Sequence, residues 1–167
     1  QEFANALQLY RHPEASHNFA IYKMQLPSSV IGLLLPALKD KQNEAFYLDN
    51  NGFVNAREGV DFAIEIIQSN EKLKVFAWLN NTIENMADAN HLVEAIINHP
   101  LIDSIRLVNC FGENVNGYDI SRSLLASRKD FLYIDLDSND IRTGGGTEIP
   151  DFLATNPPLQ RIGEKSP

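Results

Sequence analysis

A short frame of apolar residues that ends in a polar or small residue recurs along the chain at nearly constant spacing. Each copy has apolar residues three and five positions before its end. The end positions are His12, Asn51, Asn81, Cys110 and Asn139. They are 39, 30, 29 and 29 residues apart, and a cut-off sixth frame begins at Leu159. A fixed period of this length indicates a repeat protein, because one unit alone cannot bury its apolar face.

The segments between the frames have helical periodicity. Apolar residues follow Asn51 by 11, 15 and 16 residues, and the same offsets recur after Asn81. These residues are Phe62, Ile66, Ile67, Leu92, Ile96 and Ile97. Spacings of four and five residues place side chains on one helical face, so each unit is predicted to contain one strand and one return helix. The predicted fold class is α/β, a short arc with parallel strands on the concave face and helices on the convex face.

The pattern resembles the leucine-rich repeat family, and within it the ribonuclease-inhibitor-type subfamily, whose repeats have about 28 to 29 residues. Cys110 fits the resemblance because that subfamily accepts asparagine or cysteine at this position, whereas His12, Phe46 and Trp78 depart from it. The resemblance covers nearly the whole chain and implies a leucine-rich repeat solenoid of about five to six repeats.

The asparagines that end the frames have a structural role in this interpretation. Asn51, Asn81 and Asn139 are expected to form hydrogen bonds with the backbone of neighbouring turns. An amide buried there without partners would cost about 1 to 3 kcal/mol.

Residues 1–167 are predicted to form a single leucine-rich repeat domain that is part of a longer protein. The long first step, from His12 to Asn51, is interpreted as an inserted loop near residues 13–27. Neither end of the chain shows a polar capping unit. Self-association through uncapped ends is therefore a further expectation, since terminal repeats normally protect the open edge.

Charge and hydropathy argue against several function classes. The formal net charge is −8 and basic residues are scattered, which predicts no binding to nucleic acid or to an anionic membrane. No apolar run approaches the roughly 20 residues of a membrane span, and the first residues do not read as a signal peptide. The single cysteine, Cys110, excludes internal disulfides and fits a reducing compartment, so we expect a cytoplasmic protein.

The polar residues do not form a pattern typical of catalysis or metal binding. The four histidines lie on different predicted elements, and Cys110 has no assured histidine partner. The Gly144-Gly145-Gly146 turn lacks the Lys-Ser/Thr continuation of a phosphate-binding loop. The sequence therefore predicts a protein that is not an enzyme and that needs neither a metal nor a cofactor.

The outward positions of the predicted strands carry the candidate binding residues. Side chains that alternate with the buried anchors point out of the concave sheet. The candidates are Tyr10, Tyr47, Asp49, Leu79, Arg106, Val108, Tyr133, Asp135 and Asp137. Aromatic residues and arginine are favoured in protein interfaces, and the fold does not require a leucine at outward position 79. These residues predict a non-catalytic protein–protein interaction scaffold with an unidentified protein partner, and a solvated face without a ligand is the alternative.

The resemblance also implies two other functions. The ribonuclease-inhibitor-type subfamily includes inhibitors of ribonucleases and activators of small GTPases, so regulation of an enzyme is an alternative. The turn from Ser138 to Gly144 is similar to one in tropomodulin-like repeat domains, which implies actin binding.

Overall fold

The computed structural model of the protein describes residues 18–127, 130–139, 141 and 161–163. Strands and helices alternate along these residues. In chain order they are β1 (Asn18–Tyr22), β2 (Gln25–Leu26), α1 (Ser28–Lys41), β3 (Ala45–Asp49), β4 (Gly52–Phe53), α2 (Ala56–Ser69), β5 (Val75–Leu79), β6 (Ile83–Asn85), α3 (Met86–Asn98), β7 (Ser104–Val108), β8 (Phe111–Asn114), α4 (Gly117–Ala126), β9 (Tyr133–Asp135) and β10 (Arg161–Gly163).

Six of the strands form one parallel sheet in the order β1-β3-β5-β7-β9-β10, so they lie side by side in chain order. Backbone register joins positions 19, 46, 76, 105, 134 and 162, which are 27, 30, 29, 29 and 28 residues apart. In this sheet, one helix lies in the chain between each two neighbouring strands from β1 to β9. The fold is α/β, and this near-constant alternation of strand and helix is compatible with a repeat solenoid.

The first unit differs from the sequence prediction. The frame that ends at His12 lies outside the described residues, and residues 18–22, which were assigned to the inserted loop, form β1. Phe19 pairs with Phe46 and Ile21 with Leu48. The prediction of an inserted loop near 13–27 is therefore wrong for residues 18–27, the part that the structure describes. The signal was hidden because Met24 stands where later units have an asparagine or cysteine.

The core lies between the sheet and the helices. Phe46, Phe76 and Ile105 come from three adjacent strands and have no exposed surface. They share one hydrophobic cluster with helix residues at the predicted offsets, including Ile66 and Leu92. Full burial of a large side chain of this kind stabilises the fold by about 1.5–3 kcal/mol. The core therefore holds neighbouring units together.

Trp78 occupies an anchor position where the leucine-rich pattern has leucine, and the structure accommodates its extra size. Its indole Nε1–H donates to the carbonyl oxygen of Asn81 at 2.6 Å. The indole stacks on the ring of Phe53, with centroids 5.6 Å apart and planes 5° apart. A Cβ atom on Gly59 would lie 2.7 Å from the Phe53 ring, so glycine at this position leaves room for the stack.

Asparagine side chains join successive turns at the carboxyl ends of the strands. Asn81 donates through Nδ2 to the carbonyl oxygen of Leu48 at 3.0 Å and accepts through Oδ1 from the N–H of Asn51 at 2.6 Å. Asn51 repeats this pair of contacts with the unit before it, at Ile21 and Met24. The predicted hydrogen bonds to neighbouring turns are confirmed. We call Asn51, Asn81 and Asn139 the asparagine ladder.

The last member of the asparagine ladder bonds to a unit that ends in cysteine. Asn139 accepts through Oδ1 from the N–H groups of Cys110 and Phe111, at 2.8 and 3.0 Å. It also donates through Nδ2 to the carbonyl oxygen of Leu107 at 2.5 Å. The thiol of Cys110 cannot reproduce these contacts with the preceding unit, and there the N–H of Ile83 donates to the Cys110 carbonyl oxygen at 2.7 Å.

A second set of polar contacts joins the units at the amino ends of the strands. Asn70 donates through Nδ2 to the carbonyl oxygen of Asn43 at 2.8 Å. One unit later, Nε2 of His99 lies 2.8 Å from the carbonyl oxygen of Asn70, while its Nδ1 accepts from the N–H groups of Leu101 and Ile102. These partners assign the neutral tautomer with hydrogen on Nε2. His99 is therefore a structural residue, and it is buried.

We predict that Asn81→Ala lowers the free energy of unfolding by about 1–3 kcal/mol, because it leaves the N–H of Asn51 and the carbonyl oxygen of Leu48 without the amide partner. Urea denaturation followed by circular dichroism measures the loss. The matched control is Asn90→Ala, an exposed residue of α3, which is expected to change stability by less than about 0.5 kcal/mol. Equal stabilities of the two variants would contradict a supporting role for the asparagine ladder.

Gly112 supplies a second prediction, because β8 passes very close to β6 at this residue. A Cβ atom there would lie 2.9 Å from the carbonyl oxygen of Ile83. We expect Gly112→Ala to destabilise the protein by about 1–3 kcal/mol through overpacking. Gly32→Ala is the control, since Gly32 lies within α1 with nothing inside 4 Å, and it should stabilise by about 0.5–1 kcal/mol. Thermal unfolding that ranked the two variants in the opposite order would refute this assignment.

Candidate functional site

The register of the parallel strands sets outward side chains in rows that cross the sheet. We call the face that points away from the helices the outer face. Its central row consists of Tyr47, Ala77, Arg106 and Asp135. Its terminal row, at the carboxyl ends of the strands, consists of Asp49, Leu79, Val108 and Asp137. Both rows lie at outward positions of the kind predicted from the sequence, which alternate with the buried anchors.

The central row is closed by its own side chains. Ala77 is fully buried between the larger neighbours Tyr47 and Arg106. Arg106 donates through Nε to Oδ2 of Asp135 at 3.0 Å, and the hydroxyl of Tyr133 donates to the same oxygen at 3.3 Å. The carboxylate is therefore neutralised within the sheet face.

Asp135 corrects one prediction made from the sequence. We expected it to be solvated or to contact a partner, but its side chain is only 8% exposed, compared with 40% for Arg106. Oδ1 of Asp135 also accepts from the backbone N–H of Asp137 at 3.1 Å. Arg106 on the neighbouring strand β7 and Tyr133 on its own strand both bond to it. Asp135 is therefore a buried residue that holds these two side chains in place.

The terminal row is the more open of the two. Its four side chains are each partly exposed, with apolar Leu79 and Val108 in the middle and carboxylates at both ends. Tyr22 of β1 extends the row beyond Asp49 and is 56% exposed. The row therefore presents apolar surface flanked by negative charge.

A residue with a left-handed backbone directly follows Tyr22 and each member of the terminal row. These residues are Lys23, Asn50, Asn80, Asn109 and Ser138, with φ between 48° and 61°. Asparagine is among the residues that tolerate this conformation best. The turned backbone lets the N–H groups of Lys23, Asn50, Asn80 and Asn109 donate across to the carbonyl oxygens of the terminal row in the next unit, as Asn80 does to Val108 at 3.0 Å. The rim of the terminal row is consequently fixed in place.

Side-chain amides along this rim also hold one carboxylate of the terminal row. Asn109 donates through Nδ2 to Oδ1 of Asn80 at 3.0 Å. Asn80 in turn donates through Nδ2 to Oδ1 of Asp49 at 2.8 Å. This chain of hydrogen bonds orients the Asp49 carboxylate and leaves the charge on the outer face.

The structure brings most of the predicted binding residues together. Those on the outer face with partial exposure are Tyr47, Asp49, Leu79, Arg106, Val108, Tyr133 and Asp137. Tyr10 lies outside the described residues. The hydrogen-bonded cluster of Arg106, Asp135 and Tyr133 was not predicted, although the 29-residue separation of Arg106 and Asp135 placed them in adjacent units.

Two features of the described residues concern metal binding and the reactivity of the thiol. No group of three or more His, Cys, Asp or Glu side chains among them could hold a metal ion. Cys110 is buried, and burial raises the pKa of its thiol, which keeps it protonated. Within the part of the chain that the structure describes, no helix is both long and apolar enough to cross a membrane.

Sequence comparisons found no protein-family model that matches the chain and no curated protein that matches it. The geometry of the outer face therefore carries the functional argument.

A double-mutant cycle tests the cluster beneath the outer face. Asp135→Ala and Arg106→Ala should be coupled by about 0.5–3 kcal/mol in the free energy of unfolding, because each removes a partner of the same hydrogen-bonded ion pair. Asp135→Ala should be the more damaging single change, since it strips partners from Arg106, Tyr133 and the N–H of Asp137. Additive effects would show that the pair contributes nothing beyond its separate side chains.

Proposed function

We propose that the chain is a non-catalytic protein-binding scaffold that engages a protein partner through the outer face. The observation that carries this proposal is the partial exposure of Leu79 and Val108 at neighbouring positions of a rigid sheet. The core does not use these side chains, because the inward positions of the same strands already supply it. Tyr47 adds an aromatic side chain to the same face, and aromatic and apolar residues commonly anchor protein interfaces.

The rigidity of the face supports this role. The asparagine ladder and the left-handed turns fix the strand ends of the main sheet to one another from β1 to β9. A binding surface on such strands loses little conformational entropy when a partner docks. The buried Asp135 serves the same end, because it holds the Arg106 guanidinium in one orientation.

We further propose that the fold is a leucine-rich repeat solenoid of the ribonuclease-inhibitor type, with the outer face concave. The unit spacings of 27 to 30 residues and the asparagine contacts to preceding turns support this. Parallel strands lie about 4.8 Å apart, whereas packed helices are about 8–10 Å apart. A stack with strands on one side and helices on the other is expected to bend toward the strands.

Charge supports a protein partner over nucleic acid or an anionic membrane, since the chain carries a formal net charge of −8. A cytoplasmic location remains a prediction, in keeping with the reduced thiol of Cys110. Self-association through the ends of the chain also remains a prediction, and size-exclusion chromatography over a range of concentrations tests it.

Regulation of an enzyme and actin binding also stay predictions. Ribonuclease-inhibition and GTP-turnover assays test the first. The turn that suggested actin binding is described only at Ser138, Asn139 and Ile141, and the rest of it lies outside the described residues. Actin polymerisation with and without the protein tests the second.

The scaffold proposal is tested by removing one aromatic and one aliphatic side chain of the outer face together. Tyr47→Ala with Leu79→Ser should weaken binding to a captured and purified partner by about tenfold or more. Arg106 stays unchanged in this variant because it holds Asp135.

The matched control carries Gln68→Ala and Glu94→Ala, which are exposed on helices α2 and α3. Calorimetric titration of the partner should give the same affinity for the control and the wild-type chain. An outer-face variant that folds normally and still binds with wild-type affinity would exclude the outer face as the binding surface.

A further inference from the structure

We propose that Arg106 selects an uncharged amide side chain, that of glutamine or asparagine, in an extended segment of the protein partner. An apolar side chain two residues away in the same segment covers Leu79 and Val108. This inference rests on the proposed protein-binding function, and it names the chemistry by which the outer face recognises its partner.

The guanidinium of Arg106 keeps hydrogen-bond donors that the fold does not use. Its Nε donates to Oδ2 of Asp135 at 3.0 Å, whereas no described residue bonds to Nη1 or Nη2. The side chain is 40% exposed. Because the guanidinium is planar and rigid, a fixed Nε also fixes the directions of the two terminal nitrogens. Arg106 therefore presents oriented N–H donors on the outer face.

The positive charge of Arg106 is already balanced within the sheet face. The Asp135 carboxylate that balances it is 8% exposed and is held in place by two further donors, the hydroxyl of Tyr133 and the backbone N–H of Asp137. A partner carboxylate on Nη1 and Nη2 would bring a second negative charge close to Asp135. A neutral carbonyl oxygen accepts the same hydrogen bonds without this repulsion, so the ion pair favours an uncharged acceptor.

The other charges of the outer face do not favour an anion either. The charged residues of the central and terminal rows are Asp49, Arg106, Asp135 and Asp137, and Lys23 acts on Asp49 from the adjoining turn. Two cations against three carboxylates leave no positive excess, and the whole chain carries a formal charge of −8. Neither the two rows nor the chain attracts an acidic segment.

A side-chain amide suits these donors better than the other polar side chains. Lysine and arginine carry donors only and cannot accept from Nη1 and Nη2. Serine and threonine carry an acceptor, but on a shorter side chain. The carbonyl oxygen of a glutamine or asparagine side chain has two lone pairs and carries no charge. It can therefore accept from both terminal nitrogens of Arg106.

The spacing of the outer face fits an extended segment that runs along β7. Arg106 and Val108 are two positions apart on this strand, and Leu79 lies beside Val108 in register. Residues two apart on a strand are separated by about 6.5–7 Å, and residues i and i+2 of an extended peptide share one face at the same spacing. An amide on Arg106 thus places the apolar residue of the segment over Leu79 and Val108.

Selection from a displayed library of random peptides tests the inference, with the full chain as the target. Peptides selected by the wild-type protein should be enriched in glutamine or asparagine two residues from an apolar residue, in either chain direction. Acidic and basic residues should be depleted at the amide position.

Synthetic copies of a selected peptide, with blocked termini and no charged residue, measure the contribution of the amide. Replacing its glutamine with glutamate or with leucine should each weaken binding by about two- to tenfold, because the first change adds repulsion and the second removes the acceptor. The affinity of the uncharged peptide should change by less than about twofold between low and high salt, since salt screens contacts between charges.

Asp135→Asn is the decisive variant, because it removes the balancing charge and retains an acceptor oxygen for Nε of Arg106. The preference for glutamine over glutamate should then reverse. Gln68→Ala, an exposed change on α2, is the matched control and should keep the wild-type preference. Circular dichroism checks that both variants fold. If Asp135→Asn does not fold, the glutamate substitution and the salt dependence in the wild type decide the inference.

The outcomes separate this inference from the general proposal. Peptides that need Leu79 but bind as tightly with glutamate or lysine as with glutamine would overturn the inference and leave the outer face as a protein-binding surface. A folded Asp135→Asn variant that still prefers glutamine would overturn it too. So would a selection without the amide pattern, and the scaffold proposal would then be decided by its own partner titration. A glutamine preference that Asp135→Asn reverses would establish the inference.

Discussion

The side-chain amide that closes the turn of the preceding unit is the interaction on which the rest of the structure depends. Each strand ends in a tight turn whose N–H and carbonyl groups cannot all bond within their own unit. Asn51, Asn81 and Asn139 supply both a donor and an acceptor to those groups. Because a buried backbone group without a partner costs about 1–3 kcal/mol, two units are stable together where one is not.

The same contact fixes the geometry of the outer face. An amide that reaches exactly one unit back aligns neighbouring strands without a slip, and a slip of one residue would turn every side chain to the opposite face. The register then sets Asp49 beside Leu79, and Leu79 beside Val108. Residues about 30 positions apart in the chain thereby become a continuous surface. The composition of that surface follows from the ladder as much as from the strands.

The repeated frame made much of this predictable. Strand anchors, helix offsets and the outward columns follow from spacing alone, since period and alternation translate directly into faces. The first unit did not follow, because Met24 lacks the amide that marked the later units. The repeated frame also did not predict which side chains of the outer face are buried. Ala77 is enclosed by residues of neighbouring strands, and Asp135 bonds to Arg106 of the preceding unit, so their exposure depends on neighbours that no single frame contains.

One unit has a cysteine where other units have an asparagine of the ladder, and it shows which contacts the turn requires. Cys110 occupies a ladder position without an amide, and there the backbone of Ile83 bonds directly to the Cys110 carbonyl oxygen as β6 and β8 pair. The glycine at 112 permits that close approach. The turn therefore requires that its backbone groups have hydrogen-bond partners, and different residues supply these partners in different units.

The two rows of the outer face differ in how strongly the stability of the fold depends on their side chains. In the central row, Arg106 and Asp135 satisfy each other and Ala77 is enclosed, so changing one member disturbs the others. In the terminal row, Leu79 and Val108 contribute exposed surface that no other part of the described structure needs. Substitutions of Leu79 and Val108 are therefore expected to change this surface at little cost in stability. In the proposed scaffold, specificity for a partner is therefore expected to depend on these two side chains at the strand ends.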